Sequence, residues 1–330
     1  MTVSGATDTG YSYMSIGNTT WYIIVNPHAG SGKTIHEWEV AEKKLAELSV
    51  PYVSVFTDHK YHAEELAYKA AGKGFRRFLA VGGDGSVHET LTGMMRWCDD
   101  IGAASEDFTL GVIPIGSGND WIKSLGVPHD TEKVVQLLAQ ESFTRQDVIR
   151  ATAAGDKVCY MANIGGVGFD SHVCARVNTQ KEAGHRSARI YVNALFHTIL
   201  NLKKFRAEIV CDGKTLYSGP CYSIAFGNGR YSGGGMKQTC DAIIDDGMVD
   251  IMVVPVVSVF AIMKEVRRVF DGTTSSSSRI IYSRAVEIHV APLDARSSDI
   301  IEMDGEIVGN LPLAVEATGR QVNVVCGLRK

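Results

Sequence analysis

The run Phe78-Leu79-Ala80-Val81-Gly82-Gly83-Asp84-Gly85-Ser86-Val87-His88-Glu89 decides how this chain is read. Phe78–Val81 is a short, wholly apolar strand that ends directly on two glycines, and the helical spacing of Val87–Trp97 begins almost at once. Consecutive glycines after a buried strand let backbone N–H groups point at one anion without obstruction from a Cβ, and the start of a helix adds its positive end. Asp84 is at odds with a bare phosphate. It implies either a divalent cation between carboxylate and phosphate or a contact elsewhere on a nucleotide. The plainer alternative is a tight strand–helix turn with an aspartate cap.

Working outward, the same strand–helix alternation fills the first half. Trp21–Val25, Tyr52–Phe56 and Leu110–Pro114 read as strands; Glu37–Leu48, Ala63–Ala71 and Thr131–Gln140 read as helices. This repetition predicts a parallel, doubly wound sheet with helices on both faces. Two more glycine loops follow strands, Asn26-Pro27-His28-Ala29-Gly30-Ser31-Gly32-Lys33-Thr34 and Pro114-Ile115-Gly116-Ser117-Gly118-Asn119-Asp120. The first is not a P-loop: counting back from Gly32-Lys33-Thr34, the position of the leading glycine is Pro27, which also lacks the N–H a phosphate cradle uses. In a doubly wound sheet all such loops lie at the carboxyl edge, so three of them together point to a nucleotide site more strongly than any one.

After Asp147 the pattern becomes strand-rich. Val158–Ile164, Phe205–Cys211, Cys221–Phe226, Met248–Val254, Ala285–Ala291, Leu313–Glu316 and Val322–Cys326 read as strands, with helices at Ser187–Lys204 and Ser258–Asp271. A β-sandwich second domain follows. The expected division is a polar tail over 1–20, an α/β domain over 21–148 and a β-sandwich over 149–312, with 313–330 packing back on the first domain. Thr273–Ser278 (TTSSSS) reads as a flexible surface loop.

Composition narrows the class. Of 330 residues, 45% are apolar and 21% charged, with a net charge of −4, which argues against binding nucleic acid through bulk positive charge. Glycine is the unusual count, 34 residues, and it is clustered. Seven cysteines, an odd number without a C-x-x-C pair, fit buried free thiols in a reducing cytoplasm better than disulfides or zinc. Residues 1–20 lack the basic and apolar regions of a signal peptide, and the longest apolar stretch, Ile251–Met263, is too short to span a bilayer. Any membrane contact would be peripheral.

The second half carries Gly227-Asn228-Gly229, Gly233-Gly234-Gly235-Met236, Asp245-Asp246-Gly247 and Asp304-Gly305-Glu306. In this order, and with the three glycine loops of the first half, the chain resembles the diacylglycerol kinase catalytic domain family, which includes sphingosine and ceramide kinases and small soluble bacterial lipid kinases. The resemblance runs from about Trp21 to Cys326. It implies an N-terminal α/β domain of the NAD kinase/diacylglycerol kinase type with a C-terminal β-sandwich, and ATP-dependent phosphorylation of a lipid hydroxyl. By that resemblance Asn26, Pro27, His28, Ala29, Gly30, Thr57, Gly83, Asp84, Gly85, Ser86, Val87, His88, Glu89 and Ser117 match nucleotide-binding positions. Asp84, Asp147 and Asp304 match acidic positions tied to catalysis and metal, and Glu306 matches the proton acceptor. Ile243, Asp246 and Met248 match a structural Mg2+ site, the Ile and Met through backbone carbonyls. Ser86 and Ser117 stand where bacterial forms carry Thr, and His88 where they carry Asn; His88 resembles the sphingosine and eukaryotic diacylglycerol kinases, or is a packing residue.

Which of Asp304 and Glu306 takes the proton stays open at this level. NAD kinases and 6-phosphofructokinases share Gly-Gly-Asp-Gly, but the second lacks a match for its Thr-Ile-Asp-x-Asp segment and the first does not predict the later motifs. A non-catalytic nucleotide or lipid sensor is the remaining alternative. The acceptor lipid implies transient contact with a membrane surface. Tyr191–Phe205 and Phe260–Phe270, with Lys203, Lys204 and Arg206 or Lys264, Arg267 and Arg268, are either that surface or core helices with solvated basic faces. A homodimer is an open expectation.

Overall fold

The computed structural model describes residues 19–116, 118–182, 189–294 and 299–327. The first half alternates as its periodicities predict: β1 (Trp21–Val25), α1 (Thr34–Glu47), β2 (Tyr52–Phe56), α2 (His62–Gly72), β3 (Arg77–Gly82), α3 (Asp84–Ile101), β4 (Thr109–Pro114), α4 (Trp121–Leu125) and α5 (Thr131–Ala139). The strands lie in the order β4-β3-β1-β2, all parallel, with Trp21 opposite both Tyr52 and Arg77. β1 and β4 are buried at every residue, as parallel strands covered on both faces must be. The carboxyl ends of β1, β2, β3 and β4 therefore lie side by side along one sheet edge.

The second half comprises β5 (Phe143–Ala153), β6 (Lys157–Met161), β7 (Ile164–Gly168), α6 (Phe169–Glu182), α7 (Arg189–Leu200), β8 (Phe205–Cys211), β9 (Lys214–Gly227), β10 (Val249–Pro255), α8 (Val259–Asp271), β11 (Ile281–Ala285), β12 (Glu287–Pro292), β13 (Ile300–Met303), β14 (Glu306–Asn310) and β15 (Leu313–Val325). These strands pair antiparallel, and their inward faces enclose a core built around Ile149, Met161, Phe226, Ile251 and Ile301. A separate core fills the α/β half around Trp21, Phe78, Leu79 and Met94. The sheets are continuous through β15. It is antiparallel to β12 and β5 but parallel to β4 through Asn323–Thr109 and Val324–Leu110.

Several elements differ from the sequence reading. Val158–Ile164 is two strands, β6 and β7, because the amides of Ala162 and Asn163 between them turn to a carboxylate rather than to a neighbouring strand. The segments at Leu313 and Val322 are one strand with an irregular register between Ala317 and Gln321. Thr273–Ser278 is not a free loop. Thr274–Ser276 is a 3₁₀ turn, and the fully buried Thr274 hydroxyl lies within hydrogen-bond reach of the Gln238 carbonyl and Cys240 Sγ. None of the seven cysteines forms a disulfide, yet only Cys98, Cys159, Cys221 and Cys326 are buried; Cys174, Cys211 and Cys240 are partly exposed. No helix among the described residues is long and apolar enough to cross a membrane.

Candidate active site

The glycine loops of β1, β3 and β4 pack on one another at the carboxyl edge. Gly30 has φ +57°, and a Cβ there would lie 2.4 Å from Ile115 Cγ2 and 2.5 Å from the Ile115 carbonyl oxygen. A Cβ on Gly116 would lie 2.7 Å from Gly83 Cα. Only glycine permits these approaches, and a cavity of about 320 Å³ lies beside the β1 and β3 loops. Asn26, His28, Thr57, Ser86, Glu89 and Glu306 line it, together with His59 and Lys60. Asn26 Nδ2 lies 3.4 Å from Ser86 Oγ, and Thr57 is fastened to β1 by its amide on the Val25 carbonyl.

The structure divides the expected nucleotide residues by task. Asn26, His28, Thr57, Ser86 and Glu89 face the cavity. Val87 belongs to the core, and Gly30 and Gly83 shape the loops. Pro27 and Ala29 carry the chain from β1 into a short 3₁₀ turn, Ala29–Gly32. Gly85 opens the wall towards Glu306: a Cβ there would meet Glu306 Oε1 at 3.0 Å. Ser117 lies outside the described residues.

Asp84 does not point freely at a phosphate. Its oxygens accept the Asp120 and Trp121 amides, each at 3.3 Å, at the start of α4. Burial, and next the charge of Asp120, push its pKa up to about 6. Asp120, a residue the sequence reading passed over, accepts from Lys123 Nζ at 2.5 Å and from the Gly234 amide at 2.7 Å. Asp84 Oδ2 and Asp120 Oδ2 flank Gly118. This all-oxygen carboxylate pair is a donor set that suits magnesium, and a bound cation would offset what raises the Asp84 pKa.

Asp304 and Glu306 have opposite surroundings. The Asp304 side chain is 1% exposed, and its carboxylate accepts the Ala162 and Asn163 amides, both at 2.8 Å, while Oδ2 also lies 3.1 Å from His88 Nδ1. Burial disfavours an imidazolium at His88, but the hydrogen bond and charge of Asp304 outweigh it, and the His88 pKa rises. Glu306 opens β14 and keeps 23% of its side chain exposed, 3.3 Å from Lys60 Nζ. It lines the 320 Å³ cavity and also a second of about 450 Å³, between Tyr61, Thr92 and Arg96 on one side and Lys157, Val158 and Val308 on the other.

Asp147 and the Ile243–Met248 loop line neither cavity. Asp147 accepts the Gly247 amide at 2.6 Å and Gln321 Nε2 at 2.9 Å, tying that loop to β5 and β15. Burial raises its pKa, with smaller opposite effects from those two bonds. Asp246 is paired with the Arg284 guanidinium and accepts the Met248 amide at 3.2 Å. A cation held there by Asp246 and the Ile243 and Met248 carbonyls would compete with Arg284. Beneath Asp304, Glu302 and Asp170 are buried acids whose pKa values burial raises, Glu302 well above the usual range. The sequence offered no signal for them beyond a charge inside an apolar run.

Comparison with known proteins bears on the two halves of the chain. Two family models match in succession, the diacylglycerol kinase catalytic domain over residues 20–151 and the YegS C-terminal NAD kinase beta sandwich-like domain over residues 164–326. The chain is 25% identical over 311 residues to a diacylglycerol kinase of Mycobacterium tuberculosis (strain ATCC 25618 / H37Rv), covering 94% of this chain and 95% of that one. It is 28% identical over 198 residues to a YegS-like lipid kinase of Enterobacter sp. (strain 638), covering 60% of this chain and 62% of that one. Among solved structures, a diacylglycerol kinase from Bacillus anthracis str. Sterne superposes with a TM-score of 0.67 at 21% identity, covering 94% and 97% of the two chains. Yeast NADH kinase complexed with NADH superposes at 0.51 and 10% identity over 95% and 85%, and these two likenesses speak to fold alone. With its paired matches spanning nearly the whole molecule, the chain belongs to the diacylglycerol kinase catalytic domain family.

Proposed function

We propose that this protein transfers the γ-phosphate of ATP to the hydroxyl of a lipid of the diacylglycerol or sphingoid/ceramide type. The observation that carries the reading is the position of Glu306, one carboxylate on the wall of two cavities. The cavity beside the glycine loops suits the polyphosphate, since a side chain at Gly83, Gly85 or Gly116 would force those loops apart. The larger one takes the acceptor. Phosphoryl transfer asks a protein for alignment and charge neutralisation, and a base between donor and acceptor meets the first need.

In this reading Glu306 is the proton acceptor. It is part-exposed, with the Lys60 ammonium 3.3 Å away. Asp304 is a positioning residue: its oxygens are taken by two amides and His88, and it fixes the β13–β14 turn that aims Glu306. Asp84 and Asp120 would hold magnesium, which when bound neutralises phosphate charge. The acceptor brings the protein to a membrane surface. The exposed Arg267 and Phe270 of α8, with the half-buried Arg268 between them, are the best placed described residues for it.

The direct test is transfer of labelled γ-phosphate from ATP, with magnesium, to diacylglycerol, sphingoid bases, ceramide, NAD and fructose 6-phosphate. Label in a lipid alone is expected. Label in NAD or the sugar, or in none, rejects the proposal.

A further inference from the structure

A cluster at the edge of the nucleotide cavity, which His59 lines, has no role in the reading above. Asp58, His59 and His62 stand where β2 leads into α2, and one ligand atom from each falls within 4.8 Å of the others. The two imidazoles are stacked, with ring centres 4.3 Å apart and 19° between planes. Both present Nδ1 to the same atom, Asp58 Oδ1. His62 Nδ1 also lies 3.1 Å from the Asp58 backbone nitrogen. Asp58 Oδ1 faces the same Nδ1 at 2.7 Å. With Nδ1 unprotonated on both rings, the two imidazole nitrogens and the carboxylate oxygen can converge on one cation.

His59 supplies an independent sign. Its other nitrogen, Nε2, lies 3.4 Å from Glu65 Oε1. A carboxylate behind a ligating imidazole orients the ring and raises its basicity, the usual support for a metal-bound histidine. The positive end of α2, which would repel a cation, is countered: Glu89 accepts the Tyr61 amide at 3.1 Å and the Ala63 amide at 3.2 Å, and Glu64 and Glu65 occupy the first turn.

We infer that Asp58, His59 and His62 form a binding site for a divalent transition ion of the zinc class, on the rim of the nucleotide cavity. Two imidazole nitrogens and one carboxylate oxygen are a donor set that zinc and cobalt accept and that magnesium, preferring oxygen, does not. Three protein ligands leave a coordination position open. The inference is independent of the kinase reading, because it concerns binding without nucleotide or lipid.

The test is titration of the untagged full chain with Co2+ in excess Mg2+, followed by visible absorption and by competition with Zn2+. One equivalent is expected, displaced by Zn2+. His59→Ala and His62→Ala should each weaken binding by roughly 100-fold or more, and Glu65→Gln by about tenfold. His36→Ala, a lone exposed histidine elsewhere on the surface, should leave it unchanged. His59 is exposed, so its variant tests the site without threatening the fold. Absence of a Co2+ spectrum in the wild type, or undiminished binding by the His59→Ala/His62→Ala double variant, overturns the inference.

Discussion

Replacing Asp304 by asparagine and Glu306 by glutamine should separate anchoring from chemistry. Asparagine tolerates the positive φ of +51° at position 304, so the backbone survives the exchange. Its single carbonyl oxygen can take one of the Ala162 and Asn163 amides; the other then faces an NH2 group and is orphaned. A buried unsatisfied donor costs about 1–3 kcal/mol, and turning the surviving charge-assisted bond into a neutral one costs about 1 more. Asp304→Asn should therefore lose about 2–4 kcal/mol of stability. Glu306→Gln removes one part-exposed ion pair with Lys60, worth at most about 1 kcal/mol. Its loss falls on turnover, about 10²–10⁴-fold for a missing general base. Urea unfolding and initial rates on one preparation of each variant measure both quantities. A stable Asp304→Asn enzyme that has lost all turnover, beside a Glu306→Gln enzyme at full rate, would falsify the division of roles.

Three further outcomes are expected. Gly30→Ala must place a Cβ 2.4 Å from Ile115 at positive φ and should weaken ATP affinity in calorimetry; Gly32→Ala, also at positive φ but with nothing within 4 Å, should weaken it far less, and equal effects would rule out the contact as the cause. Gly93→Ala raises helix propensity by about 1 kcal/mol but puts a Cβ 2.2 Å from the Glu64 carbonyl oxygen where α2 crosses α3, so a net loss of about 1–3 kcal/mol is expected on thermal melting. A gain in melting temperature would show that the helices part freely. Asp84 sets a pH dependence in metal-free protein: its folded pKa of about 6 lies above the unfolded value near 3.9, so the unfolded chain releases the proton first. Its contribution to stability falls as pH rises from about 4 to 6 and is flat above. Asp84→Asn should remove that slope from a series of denaturant midpoints, and an unchanged slope assigns it to other groups.

How far the chain could be read depends on how local each signal is. β1 to β4, and α1, α2 and α5, announce themselves through apolar runs and helical spacing within a dozen residues. α6 went unseen because its apolar stripe is only Phe169, Val173 and Val177; it also carries Asp170, Ser171, Asn178 and Thr179 and packs partly through polar contacts with Ser223, Gln238 and Gly305. β13 and β14 were hidden by Glu302, Asp304 and Glu306, charges that interrupt the apolar pattern although Glu302 and Asp304 are buried. The ordered glycine and acidic motifs located the candidate site. The bonds that assign its roles were illegible: His88 with Asp304, Lys60 with Glu306 and Asp84 with the α4 amides each join residues far apart in sequence.

The parallel pairing of β15 with β4 has a consequence for how the molecule is made. β4 is buried at every residue, yet without β15 it would be the open edge of the first-half sheet. Its partner emerges from the ribosome roughly 200 residues later, a delay of about 10–40 s at typical rates of elongation. Throughout that interval the nascent first half displays a flat apolar edge able to pair with any passing strand. The nucleotide half is encoded first but completed last, and vectorial synthesis leaves it dependent on shielding until the final strand arrives.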